Sequence, residues 1–365
     1  MSLLILSPQA CVRALSVNSE CKHCELSCPT GAIEIAGRLP SINQALCVGC
    51  AGCVAVCPSE ALTLDDFNPT DFFFAFMADE EKIVSCQKNV PCIAALSSEH
   101  LISLAQMKKG LVCDIGHCVA CDIGERILEQ FVPRVEDVNY LLEAISTESY
   151  VELASIAYQN PDEKVEVQRR DFFKTFHVRG IGKIRHDFEK EVQSTTDEFV
   201  NYTINNSHTA DLRAKKITDR RKLFFTALKK SEVPTVFHVV DADKIPFTSQ
   251  KLMDESLCSA CEMCYRVCPT GALTSDMRNS KIDFDPFLCV KCHLCHDVCE
   301  SDAITLSPSY NLKEWFEPIV HNLVTYSLRR CNECDTLFSS VGGDKICRRC
   351  RLEEEEALEL WGLNS

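Results

Sequence analysis

The chain has 365 residues, 46% of them hydrophobic, enough for about two to four domains with ordinary cores. It holds 25 cysteines, many in tight C-x₂-C pairs, a density that points to thiolate metal ligands in a reducing compartment rather than to disulfides. The formal net charge of −15 argues against nucleic acid as the main partner.

The opening MSLLILSPQA has no basic n-region and too short an apolar run for a signal peptide, which predicts a cytoplasmic chain. The longest apolar stretch, FFFAFMA at 72–78, is far below a membrane span. Charge is unevenly spread. Residues 164–230 hold 16 Lys and Arg against 9 Asp and Glu, whereas the rest holds 22 against 44. An acidic body of this kind suits docking on a positive patch of a protein partner.

Residues 1–70 contain two cysteine runs. The first reads Cys21-x₂-Cys24-x₃-Cys28-Pro29, and Asn18 stands where a further cysteine would complete C-x₂-C-x₂-C-x₃-C-P. The second, Cys47, Cys50, Cys53 and Cys57-Pro58, is complete. Residues 71–160 change character. KIVSC and GLVCDI are short β-branched runs that predict buried strands, and IAALSSEHLISLAQMKK between them has helical spacing. The expectation is a small α/β domain with parallel strands. Side chains at the carboxyl ends of such strands converge. Cys86, Cys92, Cys118 and Cys121 are therefore candidate ligands of an extra cluster, with zinc or redox thiols as alternatives. Cys113 lies within the second strand and is expected to pack, and His117 reads as a surface or capping residue. ERILEQFVPRVEDVNYLLEAI at 125–145 predicts an amphipathic helix interrupted by Pro133.

Residues 161–250 read as a basic connector. VQRRDFFKTF at 167–176 resembles the twin-arginine export motif but is internal and has no long apolar run after it, so export is rejected. NYTINNSHTAD at 201–211 predicts a loop. DRRKLFFTALKKS at 219–231 predicts a basic amphipathic helix packed on the acidic units or a partner, or else an ordinary solvated helix. Residues 251–310 carry two complete runs, Cys258, Cys261, Cys264, Cys268 and Cys289, Cys292, Cys295, Cys299, with Glu300 where proline is usual. The segments CPTGAIEI, CPSEALTL, CPTGALTS and CESDAITL after the four runs show that one unit is present twice. Residues 325–355 give Cys331-x₂-Cys334-x₁₂-Cys347-x₂-Cys350, the spacing of a zinc ribbon. An acidic helix, RLEEEEALELWGLNS, ends the chain.

Residues 21–64 and 258–306, about a quarter of the chain, resemble the bacterial two-[4Fe–4S] ferredoxin family, duplicated as in polyferredoxins. The resemblance implies an α+β fold with two dicluster domains, each of two β-hairpins and two short helices in pseudo-twofold symmetry. It also implies that each run gives its fourth cysteine to the neighbouring cluster. One C-terminal cluster would use Cys258, Cys261, Cys264 and Cys299, and the other Cys289, Cys292, Cys295 and Cys268. In the N-terminal copy Cys47, Cys50, Cys53 and Cys28 form a full set, which leaves Cys21, Cys24 and Cys57 one ligand short. Cys11 lies ten residues before Cys21 and is the candidate fourth ligand. A three-iron or labile cluster, or a Cys11 that only packs, are the alternatives. The C-terminal knuckles also resemble rubredoxin, which holds one iron. They lack its proline and glycine, so zinc is expected.

No phosphate-binding glycine fingerprint, Ser–His–Asp set or SAM-radical run appears, so no catalytic residue and no small-molecule substrate is nominated. The expected function is a cytoplasmic polyferredoxin. It carries electrons through four [4Fe–4S] clusters, with a candidate fifth at 86–121, to or from a partner oxidoreductase and is not itself an enzyme. The resemblance to polyferredoxin subunits of hydrogenases and formate dehydrogenases indicates that partner class. The alternative is an assembly, maturation or redox-sensing factor that uses its clusters structurally.

Overall fold

In the computed structural model, residues 2–145, 148–156, 215–340 and 342–362 are described. The stretches at 167–176 and 201–211 lie outside them. The first unit opens with β1 (Leu4–Leu6) and helix α1 (Val12–Leu15). Helix α2 (His23–Leu26), the hairpin β2 (Ile33–Glu34) and β3 (Ser41–Ile42), α3 (Gly52–Val56) and β4 (Leu62–Leu64) follow. Strand β4 returns antiparallel to β1, with Leu4 opposite Leu64, so the unit closes on its own first strand.

Helix α4 (Pro69–Ala78) leaves this unit. Asn68 caps it by accepting from the amides of Thr70 and Asp71, and proline at the first position costs no hydrogen bond. Phe72 through Phe76 are all buried, so the longest apolar run lies within the main apolar core. Strand β5 (Ile83–Val84), helix α5 (Ser98–Lys108), β6 (Leu111–Asp114), helix α6 (Gly124–Ala144) and β7 (Val151–Ala154) come next. The three strands are parallel in the order β5-β6-β7, and helix α5 connects β5 to β6 as the sequence predicts. Helix α6 runs unbroken through Pro133. Its buried residues Ile127, Phe131, Val135, Val138, Leu141 and Leu142 lie on both sides of the proline, and their burial offsets a local cost of about 3 kcal/mol.

Helix α7 (Asp219–Lys230) departs most from its sequence reading. A basic helix in a connector predicts at least one wet face, yet residues 220–221 and 223–228 are buried. Glu60 caps it from the first unit, accepting from the amides of Asp219 (2.8 Å) and Arg220 (3.0 Å). Arg221 is 1% exposed; it pairs with Glu99 at 2.6 Å and donates to the carbonyls of Phe287 and Phe247. Arg220 shares Glu99 at 3.0 Å and donates to the carbonyls of Ala55 and Cys57. On the apolar side Phe225 stacks on Phe287, and Phe224 meets Trp315 edge-on. The helix is thus enclosed by the first unit, by α5 and by the second unit.

After β8 (Val239–Asp241), the second unit repeats the first. Strand β9 (Lys251–Met253), helix α8 (Met263–Val267), the hairpin β10 (Leu273–Thr274) and β11 (Lys281–Phe284), helix α9 (Leu294–Asp297) and β12 (Ile304–Leu306) match its order. Strand β12 pairs with β9, with Lys251 opposite Leu306. Strand β13 (Ser309–Asn311) pairs with β8, and helix α10 (Lys313–Phe316) supplies Trp315. Strand β14 (His321–Thr325) extends the β10-β11 hairpin across a bulge at Ile282/Asp283. A last hairpin of β15 (Ser327–Arg330) and β16 (Leu337–Ser340) precedes the exposed helix α11 (Arg348–Leu360).

Because Glu99 balances two buried guanidinium groups, Glu99→Leu leaves them unpaired. Anaerobic urea unfolding should show a loss of about 3–5 kcal/mol. A loss under about 1 kcal/mol would mean that water reaches the pair and that the helix is not locked by it.

Candidate metal centres

All 25 cysteines are free thiols, and most gather into discrete sets. In the second unit Cys258, Cys261, Cys264 and Cys299 line one cavity with Met253, Ile282 and Ile304. Cys268, Cys289, Cys292 and Cys295 line another with Lys251, Phe284 and Leu294. Each cavity therefore draws three cysteines from one run and one from the other. In the first unit Cys11, Cys21, Cys24 and Cys57 line a third cavity with Leu6, Val12 and Leu62. The three are alike in size, with empty volumes of 310, 320 and 350 Å³ that open partly to solvent. Cys28, Cys47, Cys50 and Cys53 also meet. Burial pushes the Cys50 thiol up, and the neighbouring Cys28 and Cys47 add to it; Cys53 is raised by burial and then by Cys50, Cys28, Cys24 and Cys47.

Backbone geometry explains how these runs curl. In three of them the residues flanking the second cysteine are left-handed: Gly49 and Ala51, Ala260 and Glu262, Lys291 and His293. Such a backbone makes a concavity suited to anionic groups, a conformation non-glycine residues adopt only when the surroundings enforce it. The run without its first cysteine lacks this pattern, since Lys22 has φ −130°. Beside this run stands Cys11, which precedes helix α1 and packs with Cys57 and Ala61.

Amides and hydroxyls point at the sulfurs. Ala32 N donates to Cys28 Sγ and Ala61 N to Cys57 Sγ, both at 3.2 Å, and Tyr326 Oη lies 2.9 Å from Cys258 Sγ. Burial raises the Cys21 thiol to about 11 and the Cys24 and Cys295 thiols to about 12. Burial favours the protonated form of these three thiols, and a soft metal reverses this because a coordinating thiol is deprotonated. The donor sets fit iron–sulfur clusters.

Four more cysteines converge at the carboxyl ends of β5 and β6. Cys86 follows β5, Cys92 precedes a 3₁₀ turn at Ile93–Ala95, and Cys118 and Cys121 belong to the turn after β6. Burial raises Cys86 to about 11, and Cys118, Asp114 and Cys121 act on it next. Cys92 is raised to about 12 by burial, with Cys50, Cys86 and Cys118 adding to it. Cys113 is fully buried within β6, where burial alone raises it, and His117 is exposed. Asp114 shapes the turn by accepting from Ser85 Oγ and from the amides of Gly116 and Ile156.

The five sets are neighbours in one sequence. Helix α3, which carries Cys53, packs on the turn that Cys92 opens, and the Cys50 thiol raises that of Cys92. Helix α2, which carries Cys24, packs on α3 in turn, and Cys24 raises Cys53. Cys21 of the third set and Cys292 of the fourth pack on the same apolar cluster of Val12, Leu294 and Val298. There Glu20 N also donates to Asp297. Cys295 of the fourth set acts on Cys264 of the fifth.

The four cysteines at 331–350 are built differently. Their sulfurs all lie within 4.8 Å of one another, and among the described residues no other set of potential metal ligands is that close. Cys334 Sγ and Cys347 Sγ are 3.7 Å apart. A tetrahedron with zinc–sulfur bonds of about 2.3 Å has edges of about 3.8 Å. The set therefore fits one metal ion, whereas the wider sets fit multi-iron clusters. Cys347 N donates to Cys331 Sγ at 3.2 Å. Although burial opposes it, the amides of Cys347, Cys334 and Glu333 bring the Cys331 thiol down to about 6. Arg348 reaches Glu300, beside the last wide set.

Spacing alone did not reveal Lys251, Tyr326 or the Glu99–arginine network. Only Lys251 had a visible signal, because aligning the two units places it opposite Leu4.

Two segments match family models described as 4Fe-4S dicluster domains, at residues 19–61 and 250–300. Ferredoxin-1 of Chlorobaculum tepidum is 41% identical over 58 residues, 94% of its length and 13% of this chain. One subunit of the ion-translocating oxidoreductase complex of Methanosarcina acetivorans is 48% identical over 44 residues, 12% of this chain. That match spans 17% of the methanogen protein. Among the described residues, no helix is long and apolar enough to cross a membrane. With two dicluster domains and a ferredoxin matched along nearly its whole length, this chain belongs to the multi-cluster ferredoxin-like family of [4Fe–4S] electron-transfer proteins.

Proposed function

We propose that the chain is a wire of five [4Fe–4S] centres carrying single electrons between two protein partners. The observation that carries this reading is the unbroken neighbour order of the five wide cysteine sets. When bound, the clusters supply reversible one-electron transfer. Cys11 is the fourth ligand of the set formed with Cys21, Cys24 and Cys57. Its support is the shared cavity, equal in kind to those of the complete runs. Cys86, Cys92, Cys118 and Cys121 hold the fifth centre, and Cys331, Cys334, Cys347 and Cys350 hold structural zinc.

The protein's work is to bind, separate and shield. Crossed fourth cysteines tie each pair of sites together. Leu6, Val12, Ile282, Phe284 and Leu294 keep water away, which limits rearrangement when charge changes by one. The sets at the two ends of the order are the docking ends, one in the β5–β6 region and one beside the 331–350 module. The partners are redox proteins of the hydrogenase or formate dehydrogenase type. The similarity to a component of an ion-translocating oxidoreductase complex supports a large redox assembly as the setting, on the cytoplasmic side.

Anaerobically purified protein should contain about 20 irons per chain, from five four-iron clusters, and show reversible low-potential EPR signals. About 16 irons would remove the fifth centre, and the absence of any reversible reduction would remove the wire. Cys11→Ala should lose or alter one cluster and leave the other EPR signals intact, while Cys113→Ala keeps them all; full iron and unchanged signals in Cys11→Ala would rule Cys11 out as a ligand. A zinc chelator should release one zinc and expose the 327–350 hairpin to protease without loss of iron. Loss of iron in step with zinc would mean that the module is not separate.

A further inference from the structure

The two units are copies, so each site in one has a counterpart in the other. Cys28, Cys47, Cys50 and Cys53 in the first correspond to Cys268, Cys289, Cys292 and Cys295 in the second. Around the first set stand Leu4, Gly49, Ala51 and Val54; the same positions around the second hold Lys251, Lys291, His293 and His296. Strands β1 and β9 have the same burial pattern, and Leu4 and Lys251 are each 3% exposed. Where the first unit has a leucine, the second has a lysine at an enclosed position that lines the cluster cavity.

A buried lysine needs a reason. Its Nζ lies 2.9 Å from His296 Nε2 and 5.9 Å from the centre of the Phe284 ring. Donation from an ammonium leaves the imidazole neutral, so Lys251 supplies the charge. Lys291 turns away, giving its Nζ to the carbonyls of Ala242 (2.9 Å) and Ile245 (2.7 Å). Among the described residues that line the cavity, Lys251 holds the cation that faces into it.

We propose that Lys251 tunes the site of Cys268, Cys289, Cys292 and Cys295 to a higher reduction potential than its N-terminal counterpart. This rests on the reading that both sites hold [4Fe–4S] clusters. Accepting one electron from the neighbouring centre adds one negative charge and requires no proton. A fixed cation in a low-dielectric pocket stabilises the more negative state, and salt screens it weakly. The site lies at the junction of the two units, through Cys292 and Cys21. Lys251 thus makes the middle of the wire a place where an electron rests.

The test is an anaerobic redox titration of the iron-loaded full chain, followed by EPR. In Lys251→Leu one midpoint should fall by about tenfold in the reduction equilibrium, 59 mV for one electron, with iron content unchanged. Lys251→Arg should keep the wild-type midpoint. Leu4→Lys together with Val54→His, which carries over the partner of Lys251, should raise the midpoint of the counterpart, so the test survives a Lys251→Leu chain that does not fold. Unmoved midpoints at full iron content would overturn the proposal and leave the clusters in place. A wild-type chain without [4Fe–4S] signals would overturn the reading beneath it as well.

Discussion

Two arginines on one helix hold this molecule together. Arg220 and Arg221 share Glu99 in a place almost without water. Arg220 grips the carbonyl of Cys57, the cysteine that crosses between sites in the first unit. Arg221 grips the carbonyl of Phe287, two residues before Cys289 in the second. The pairs are expensive to desolvate, so their value lies less in net stability than in fixing one arrangement. Wherever α7 goes, both cysteine frameworks go with it, and the spacing between units follows.

That rigidity matters because the separation of the centres is a property of the whole core. Cys21 and Cys292 belong to different units 271 positions apart in sequence, yet they rest on the same three apolar side chains. Without the clamp, each unit could still close its own four-cysteine sets through its own strand pair, β1 with β4 or β9 with β12. What would be lost is the junction. The acidic surface does the opposite work: it presents negative charge outward, while the cations that organise the interior are hidden in α7 and at Lys251.

What the sequence could reveal follows from how local each feature is. In three of the four ferredoxin-like sites three of the four ligand candidates lie within seven residues, so those runs are legible by eye, whereas the fourth site offers only Cys21 and Cys24 that close together. Cys86 and Cys92 were legible one step further, because strand ends converge. Cys11 could be reached only by counting what was left over. The packing of α7 on the cysteine units was legible in its apolar positions, but the burial of its arginines was not, because only Glu99, 121 positions before Arg220, makes it possible. Pro133 misled for a similar reason, since a rule about isolated helices was outweighed by an apolar face packed on both sides of the proline. The order of the five sets could not be read at all, because each link is a tertiary contact.

The two copies have diverged from one another at particular places. The first unit has Asn18 where the other runs have a cysteine, lacks the left-handed flanks at that run, and has Cys11 beside the site. The second unit has two complete runs and carries Lys251. These two departures fall on sites that touch, one on each side of the cluster formed by Val12, Leu294 and Val298. The outer sites show no comparable change in cysteine complement. Duplication alone would give a symmetric pair; Asn18 and Lys251 break that symmetry on the two sides of the junction.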